Sequence, residues 1–514
     1  SPGAEPALGD MPRQLSTLDW GVIGIYMLSL VAIGWYYSRR TATTRDYLLG
    51  GRTMKPWTVG LSLFASLMSV LTYLAVPGEM VKHGPMYIAY IAVFPFVVLI
   101  VGWWLIPAIM RLEITSAYEI LEGRLGLVGR LLGAGLFLVI RLLWMATIIY
   151  ATTNEVFIPL LGWPPETGPY LSAVLCLLTV AYTSMGGLRA VVLTDVVQTF
   201  ILLGGALVTV FLISAELGDA TAWWPSHWAA NWDEPTWFDP NARMSFLSAA
   251  LAMLVWNVCT AGSDQMAIQR YLATRDVKSA RRMYAMSVGA NALVTLVLAF
   301  VGFALLAYFQ AKPEMLGAGK SVTTEADQLF PWFILIGLPG GVRGLVVAGL
   351  LAATMSSLSS GVSSACSVVT VDGVERFSAR ASSEKSRLRT AKALSCIIGV
   401  VVYGLTFLIG CVEGNLLELA FKVVNLLVAP LFVLFFLALF VRWATPFGAV
   451  CATVAGVAVA VGIAFCPDYL PVRLGFVWIM PGSLVTGIVA GLLTSLLPVG
   501  KKGPPVPPPA SQED

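Results

Sequence analysis

Hydroxyl side chains with the chemistry of cation ligands are concentrated in one apolar stretch of the sequence. The stretch reads Ala353-Thr-Met-Ser-Ser-Leu-Ser-Ser-Gly-Val-Ser-Ser364. On a helix, residues 353, 356, 357, 360 and 364 lie on one face. Hard cations, among them sodium, are held by several oxygen ligands, and this face could supply two or three of them. The alternative is that the hydroxyls bond to carbonyls of their own helix.

Two further apolar stretches become polar partway along and are candidates for broken helices. The first runs from Ser62 to Gly78 and contains hydroxyls, small residues and Pro77, and the second runs from Trp256 to Gln265. Broken helices at the membrane midplane free backbone carbonyls that can bind a cation. The two stretches open successive sets of five apolar segments, the spacing that a five-plus-five inverted repeat requires. The simpler interpretation is that both are small-residue packing faces.

Three ionisable residues lie inside apolar stretches, where an unpaired charge is costly. Asp195 needs a partner such as an ion or an arginine, unless it reaches water at the cytoplasmic end of its helix. Arg141 is a candidate receptor for an anion, or it pairs with Asp195 or Asp264. Lys422 either neutralises Glu418 one helical turn earlier or meets a substrate carboxylate.

The residue inventory excludes several classes of chemistry. The chain has only two histidines, His83 and His227, and neither belongs to a cluster with metal-ligand spacing. The tripeptide Gly319-Lys320-Ser321 lacks the earlier glycine and the strand of a phosphate-binding loop. We therefore expect no organic cofactor, and a net charge of +3 gives no reason to expect a nucleic-acid partner.

Membrane-spanning helices must position these residues. Of the 514 residues, 57% are hydrophobic and 12% are charged, against about 25% charged in soluble domains. The mean hydropathy is +0.80. Apolar runs long enough to span a bilayer predict an all-α polytopic membrane protein with about thirteen transmembrane helices, near residues 19–37, 57–77, 86–110, 130–159, 169–185, 190–215, 244–263, 283–309, 339–370, 390–411, 415–441, 447–466 and 474–497.

Lysine and arginine residues set the expected orientation, because cytoplasmic loops are enriched in them. Placing Arg39, Arg40 and Arg45 inside puts most of the 32 basic residues on the cytoplasmic side. The segment from 270 to 282 becomes a cytoplasmic loop, the N-terminus is external and the C-terminus is cytoplasmic. The tryptophans of the external loop 216–243 favour an interfacial aromatic belt over a carbohydrate-binding lid.

Three motifs resemble segments of the sodium/solute symporter family, and the resemblance extends over essentially the whole chain. They are Tyr182–Gln198, Gln265–Ala273 and Ala353–Ser360. The resemblance implies a leucine-transporter-type fold with two inverted five-helix repeats. The implied division is an external tail at 1–18, an extra first helix at 19–37, repeat 1 at 57–215, an external tryptophan-rich loop at 216–243, repeat 2 at 244–441, two additional helices at 447–497 and a cytoplasmic proline-rich tail at 498–514.

The same resemblance implies the ion sites. The main sodium site would combine three backbone carbonyls with two hydroxyls, from Ala65, Met68, Ala353, Ser356 and Ser357. Some family members hold a second sodium with a carboxylate and a serine pair, which correspond here to Asp195, Ser359 and Ser360. One or two sodium ions would therefore be transported in each cycle.

The substrate positions differ from those of the sugar carriers in this family. Thr72, Ile91 and Asn291 replace a Gln or His, a Glu and a Lys of those carriers, and Lys422 replaces a substrate-binding Gln. The stretch 65–79 is most similar to the branch that transports monocarboxylates, iodide and vitamins. The residues expected to bind substrate are Ser69, Thr72, Trp144, Asn257, Thr260, Asn291 and Lys422, with Arg141 as a further anion-binding or structural charge.

The resemblance thus implies transport rather than an enzymatic reaction. We expect a sodium-coupled symporter in the inner or plasma membrane that imports a small organic solute, with a carboxylate or other anion favoured, by alternating access. The alternative is a sodium-coupled sugar or polyol symporter that uses Thr72, Asn257 and Asn291. A sensor or channel-like relative is less favoured. The expected partners are the small substrate and the lipid bilayer, with no obligate protein partner.

Overall fold

The computed structural model describes residues 15–112, 114–219, 221–239, 243–316, 321–377, 383–410, 416–466 and 474–498. Of residues 410, 416–424 and 476 it describes only the backbone. Most of the predicted external tail, nearly all of the proline-rich tail and the Lys422 side chain lie outside this description.

Every regular element in the described part of the chain is helical. We number the helices α1 to α16; α5, α6 and α12 include the 3-10 or π segments that are continuous with them. Their bounds are α1 Thr17–Ser38, α2 Thr44–Leu49, α3 Pro56–Leu67, α4 Val70–Lys82, α5 Pro85–Met110, α6 Glu119–Leu161, α7 Gly168–Leu217, α8 Phe246–Ser263, α9 Gln265–Ala273, α10 Val277–Ala311, α11 Ala326–Ile336, α12 Val342–Glu375, α13 Glu384–Gly410, α14 Leu416–Phe440, α15 Pro446–Phe465 and α16 Ile479–Thr494.

Each of the predicted apolar runs coincides with a helix, but the count of thirteen spans stays a prediction. Among the described residues, nine helices are long and apolar enough to cross a membrane, or ten if α3 and α4 are one bent span. The runs predicted at 169–185 and 190–215 lie in the single helix α7. The short helices α2 and α11 lie in segments that the sequence predicts as loops.

Gly187 divides α7 into the two segments that the hydropathy pattern separates. Its backbone has φ +61° and ψ −156°, a conformation that residues with a Cβ rarely adopt. A Cβ at this position would also lie 2.6 Å from the carbonyl oxygen of Tyr47 in α2. The glycine therefore permits both the kink and the close approach of α2.

Helix α12 is the centre of the bundle. In the most apolar 18-residue segment of α12, 94% of the residues are buried, against 28% in the corresponding segment of α1. It packs along α7 and also contacts α1, α3 and α6. Asp19 joins α1 to the start of α12, because one of its carboxylate oxygens accepts the amides of Gly341 and Gly344 at 2.7 and 2.8 Å. The hydroxyl-rich stretch is thus held from several sides.

A partly buried charge cluster links α6 to the end of α12. Arg130 contacts Asp372 at 2.7 Å and Glu122 at 2.5 Å, and Arg376 contacts Glu122 at 2.6 Å. The side chains of Arg130 and Asp372 are 8% and 3% exposed. The cluster ties two helices together at the end where α6 begins and α12 ends.

The tryptophan-rich loop between α7 and α8 packs onto the bundle. The ring of Trp232 is 6% exposed and lies over Gly84, while Trp223 and Trp224 pack against Phe300 of α10. Trp237 on the same loop is 70% exposed. The loop therefore presents both anchoring and exposed tryptophans.

Candidate cation and substrate site

The first helix break lies between α3 and α4, which are bent by 71°. Met68 (φ −83°, ψ 118°) and Ser69 (φ −103°, ψ 161°) are extended. The Ser69 hydroxyl accepts the amide of Thr72 at 3.2 Å and so caps α4. The extended pair leaves carbonyls in the last turn of α3 without helical partners. The predicted break in this stretch is confirmed.

The second break is at Asp264, between α8 and α9. Its backbone is extended (φ −80°, ψ 123°), and its carboxylate accepts the amide of Met266 at 2.8 Å. Asp264 lies at the polar end of the stretch from Trp256 to Gln265, which the sequence predicts as a broken helix. The two breaks thus occur at the corresponding positions of the two predicted repeats.

Ser357 places its hydroxyl at the first break. Its Oγ donates to the carbonyl oxygen of Met68 at 3.1 Å, with the carbonyl of Ser66 at 3.2 Å as a second acceptor. Ala65 on α3 and Ala353 on α12 are completely buried on the same two helices. The structure therefore brings Met68 and Ser357, two of the residues expected at the main sodium site, into direct contact.

Ser356 points to Asp195 of α7, with its Oγ donating to Oδ1 at 2.7 Å. The Asp195 side chain is completely buried, and its charged partner is Arg270, whose Nη2 lies 3.3 Å from Oδ2. Ser360 also lies 3.3 Å from Oδ2, whereas the Ser359 hydroxyl donates to the carbonyl of Ser356 at 3.0 Å. Of the interpretations given for Asp195, exposure to water is wrong and pairing with an arginine is confirmed.

The position of Arg270 corrects the predicted start of one loop. The sequence predicts a cytoplasmic loop beginning at residue 270, but this side chain is completely buried in α9. Its Nε donates to Ser62 at 3.0 Å and its Nη1 to the carbonyl of Met266 at 2.9 Å. A hydropathy count assigns a helix-end arginine to the loop. The motif Gln265–Ala273, which resembles a segment of the family, already contains this arginine.

Arg141 of α6 forms an ion pair with Asp264 at the second break. Their side chains are 8% and 12% exposed, and Nε of Arg141 has no hydrogen-bond partner. The guanidinium also lies 5.6 Å from the centre of the Phe137 ring. Of the alternatives for Arg141, pairing with Asp264 is thus confirmed.

A cavity of about 300 Å³ lies beside both breaks and extends towards Met244 and Met480, near the starts of α8 and α16. Five of the residues expected to bind substrate line it, namely Thr72, Trp144, Asn257, Thr260 and Asn291. Arg141 and Asp264 line it as well. Ser69 is not among the lining residues and caps α4 instead.

Several lining residues are not identified by the sequence reasoning. Asn425 of α14 lines the cavity, and so do Tyr87, Trp256 and Ser287. Asn425 stands three positions after Lys422 in an otherwise apolar run, so polarity within the run could have identified it. The predicted role of Lys422 itself falls on a side chain outside the described part of the chain.

Comparison with known proteins identifies relatives that match most of this chain. The model of the sodium:solute symporter family matches residues 47–456. The sodium/sialic acid symporter SiaT of Proteus mirabilis is 27% identical over 93% of this chain and 95% of its own. The mouse sodium-coupled monocarboxylate transporter 1 is 32% identical over 88% of this chain and 74% of its own.

Among the solved structures with a similar fold, one covers nearly all of this chain. It is the substrate-bound outward-open state of a Na⁺-coupled sialic acid symporter, which has a TM-score of 0.79 and 25% identity and covers 96% of this chain and 100% of its own. The leucine-transporter-type fold that the motifs imply is therefore confirmed. The similarity to monocarboxylate and multivitamin carriers also supports the predicted branch.

Proposed function

Because the chain belongs to the sodium:solute symporter family, and is thus a sodium-coupled membrane transporter rather than an enzyme, we propose that it imports a small organic carboxylate. Sodium is its coupling ion. The nature of the substrate is the new element of this proposal. The observation that carries it is the buried Arg141 guanidinium at the wall of the cavity.

Arg141 has the chemistry of a carboxylate receptor. The planar guanidinium presents several donors that match the two oxygens of a carboxylate, and its Nε is a buried donor without a partner. Asp264 competes for the same guanidinium, so substrate would bind by sharing or displacing that contact.

The rest of the cavity favours a carboxylate that carries further polar groups. The amides of Asn257, Asn291 and Asn425 line the same space as the rings of Trp144 and Trp256. Amides can donate to and accept from hydroxyl, amide or keto groups, and the rings would cover an apolar face. Sialic acid and monocarboxylates, for which the relatives are named, share the carboxylate.

We place the main sodium ion at the first break, with carbonyls of Ala65, Met68 and Ala353 and hydroxyls of Ser356 and Ser357 as ligands. The contact of Ser357 with the Met68 carbonyl supports this assignment. Sodium would stabilise the conformation that binds substrate, and substrate would tighten sodium by the same factor. Movement of the bundle that contains the breaks against the remaining helices would then open the opposite side.

The orientation and the repeat boundaries are part of the same proposal. The N-terminus is placed outside and the C-terminus in the cytoplasm, with repeats at 57–215 and 244–441. The cavity extends to the ends of α8 and α16 that neighbour the tryptophan-rich loop. On this assignment the described conformation faces outward.

The test is uptake and charge movement in proteoliposomes, with carboxylates, sugars and amino acids in sodium or choline buffer. We expect sodium-dependent transport of a carboxylate, and an increase of about 10–150-fold in its half-saturating concentration in Arg141→Gln, because a charged hydrogen bond is worth about 1.5–3 kcal/mol. Arg189→Gln is the matched control, since Arg189 is a partly exposed arginine on α7 outside the cavity.

The outcomes separate the parts of the proposal. Sodium-dependent transport of neutral sugars that Arg141→Gln leaves unchanged would contradict the carboxylate assignment and favour the sugar or polyol alternative. If Lys422→Gln and not Arg141→Gln abolishes the preference for anions, the receptor is Lys422. Transport that choline supports as well as sodium would contradict sodium coupling at the first break.

A further inference from the structure

Arg281 is fixed between the start of α10 and the second half of α5. This part of α5 is π-helical, and the amide of Ile106 bonds to the carbonyl of Val101, five residues earlier. In the same pattern the carbonyl of Gly102 would meet Pro107, which has no N–H to donate. Nε of Arg281 donates to the Gly102 carbonyl at 2.7 Å. The arginine therefore supplies the donor that the proline lacks.

The guanidinium of Arg281 has unused donors in this position. It lies 4.9 Å from the centre of the Trp103 ring on α5, which is a cation–π distance. The described residues give its two terminal nitrogens no acceptor. A planar guanidinium can donate two parallel hydrogen bonds to a phosphate. Arg281 thus presents an oriented pair of donors beside an aromatic ring.

Two more cations lie next to Arg281 on α10. Lys278 and Arg282 are exposed, and positions 278, 281 and 282 lie on one side of a helix. Within the described residues, none of the three forms an ion pair. The acidic residue nearest in sequence, Asp276, contacts Arg275 at 3.4 Å and caps the start of α10. The start of α10 therefore carries three positive charges that no carboxylate neutralises.

The surface beyond these cations is apolar and faces the bilayer. Met286 and Leu293 follow Arg282 at helical spacing, and both are exposed on the spanning helix α10. Trp103 and Trp104 of α5 are exposed as well. Tryptophan is enriched where the hydrocarbon meets the lipid headgroups. The cations thus lie at the headgroup level, at the end of a surface that lipid chains would cover.

We propose that Lys278, Arg281 and Arg282 bind the phosphate of an anionic phospholipid where α5 meets α10. Arg281 donates the paired hydrogen bonds, and the other two residues add attraction for the negative headgroup. A lipid fits this place better than a free phosphate because apolar surface continues directly from the cations. The bound headgroup would also hold α10 to α5, and α10 packs along α3 and α4 on both sides of the first break. The inference needs only the membrane location of the chain and is independent of its substrate.

The test is native mass spectrometry of the purified full chain in detergent, titrated separately with dioleoylphosphatidylglycerol and dioleoylphosphatidylcholine. We expect one phosphatidylglycerol to bind more tightly than phosphatidylcholine. Lys278→Gln/Arg282→Gln removes two exposed charges, so this variant should fold with a native Tm in phosphatidylcholine. Its affinity for phosphatidylglycerol should be about 25-fold lower, since each basic residue near an anionic headgroup contributes about 5-fold.

Lys385→Gln/Arg389→Gln is the matched control. These two basic residues are also exposed, have the same spacing and lie at the start of another spanning helix, α13. The control should keep the native affinity for phosphatidylglycerol. Equal losses in the two double variants would overturn the proposal, because binding would then follow net charge alone. Equal affinities of the native protein for the two lipids would overturn it as well.

Arg281→Lys tests the paired donors separately from the charge. Lysine keeps the positive charge but cannot donate two parallel hydrogen bonds. We expect phosphatidylglycerol to bind at least about 10-fold more weakly, the loss of one charged hydrogen bond. Unchanged affinity in this variant would refute the role of Arg281. Displacement of phosphatidylglycerol from the native protein by excess inorganic phosphate would show a site for the free anion and refute the lipid assignment.

Discussion

Ser357→Ala is the substitution that tests the sodium site most directly. The Ser357 hydroxyl donates to the carbonyl of Met68 at 3.1 Å and lies 3.2 Å from that of Ser66. It is 3% exposed, so no bulk water can replace the lost oxygen. With sodium bound, we expect this oxygen to be one of its ligands. Without sodium, the hydroxyl makes an ordinary hydrogen bond to the break.

The free-energy cost of Ser357→Ala should differ between the sodium-bound and the sodium-free state. Loss of a neutral ligand to a charged group costs about 1.5–3 kcal/mol, which corresponds to about 10–150-fold weaker sodium binding. Loss of the ordinary hydrogen bond in the sodium-free state costs about 0.5–1.5 kcal/mol. Ser357→Ala should therefore fold, with a modest decrease in Tm in choline and a large increase in the sodium concentration that half-saturates uptake.

The assay is sodium titration of uptake and of Tm on the same preparation. Ser364→Ala is the matched control, because Ser364 is a buried serine of the same helix whose hydroxyl donates to Gly361 of its own backbone at 3.1 Å. We expect Ser364→Ala to keep native sodium affinity. Unchanged sodium affinity in Ser357→Ala, or equal losses in both variants, would refute the assignment of Ser357 as a ligand.

Three further substitutions test the scaffold that positions the site. Gly187→Ala should lower Tm or prevent folding, because an alanine would have to adopt a positive φ and its Cβ would lie 2.6 Å from the Tyr47 carbonyl oxygen. A normal Tm would contradict this account of the kink. Trp232→Ala should cost about 3–5 kcal/mol, as for other buried tryptophans, measured as increased proteolysis of the loop and a lower Tm. Asp372→Ala removes one of the two carboxylates that pair with Arg130 and should lower Tm, at a cost below the about 3–5 kcal/mol of a buried charge left without any partner, because Glu122 remains 2.5 Å from Arg130. Recovery of Tm in a variant that also has Arg130→Leu would distinguish charge from packing.

Much of the fold could be predicted from the sequence because membrane helices leave a strong hydropathy signal. Every predicted apolar run falls largely on helical residues, although the run 57–77 is divided between α3 and α4 and two runs share α7. The breaks at Met68 and Asp264 lie where polar and small residues interrupt apolar runs. The short helices α2 and α11 are missed because they are too short for a spanning signal. Their positions depend on contacts, such as that of Tyr47 with Gly187.

The sequence predicts which residues belong to the cation and substrate site, but not which charged residues pair with each other. The contact of Ser357 with the first break follows from the motif, but sequence alone left the partners of Asp195 and Arg141 open. Arg141 pairs with Asp264 and Asp195 with Arg270. Both pairs join helices far apart in sequence, so only the packed bundle decides between them. Arg270 stands in the motif Gln265–Ala273, but its burial was missed because charge counting assigns an arginine at a helix end to a loop.

The first break connects all parts of the proposed mechanism. The carbonyls of Ser66 and Met68 accept the Ser357 hydroxyl, the Ser66 side chain contacts Arg270, and both residues line the cavity. A shift of α3 against α12 would therefore change the sodium ligands, the contact of Ser66 with Arg270 and the cavity wall in one movement. If sodium favours one arrangement, it changes substrate affinity through these shared residues, and linkage requires that substrate change sodium affinity by the same factor. The coupling thus needs no separate relay between the two sites.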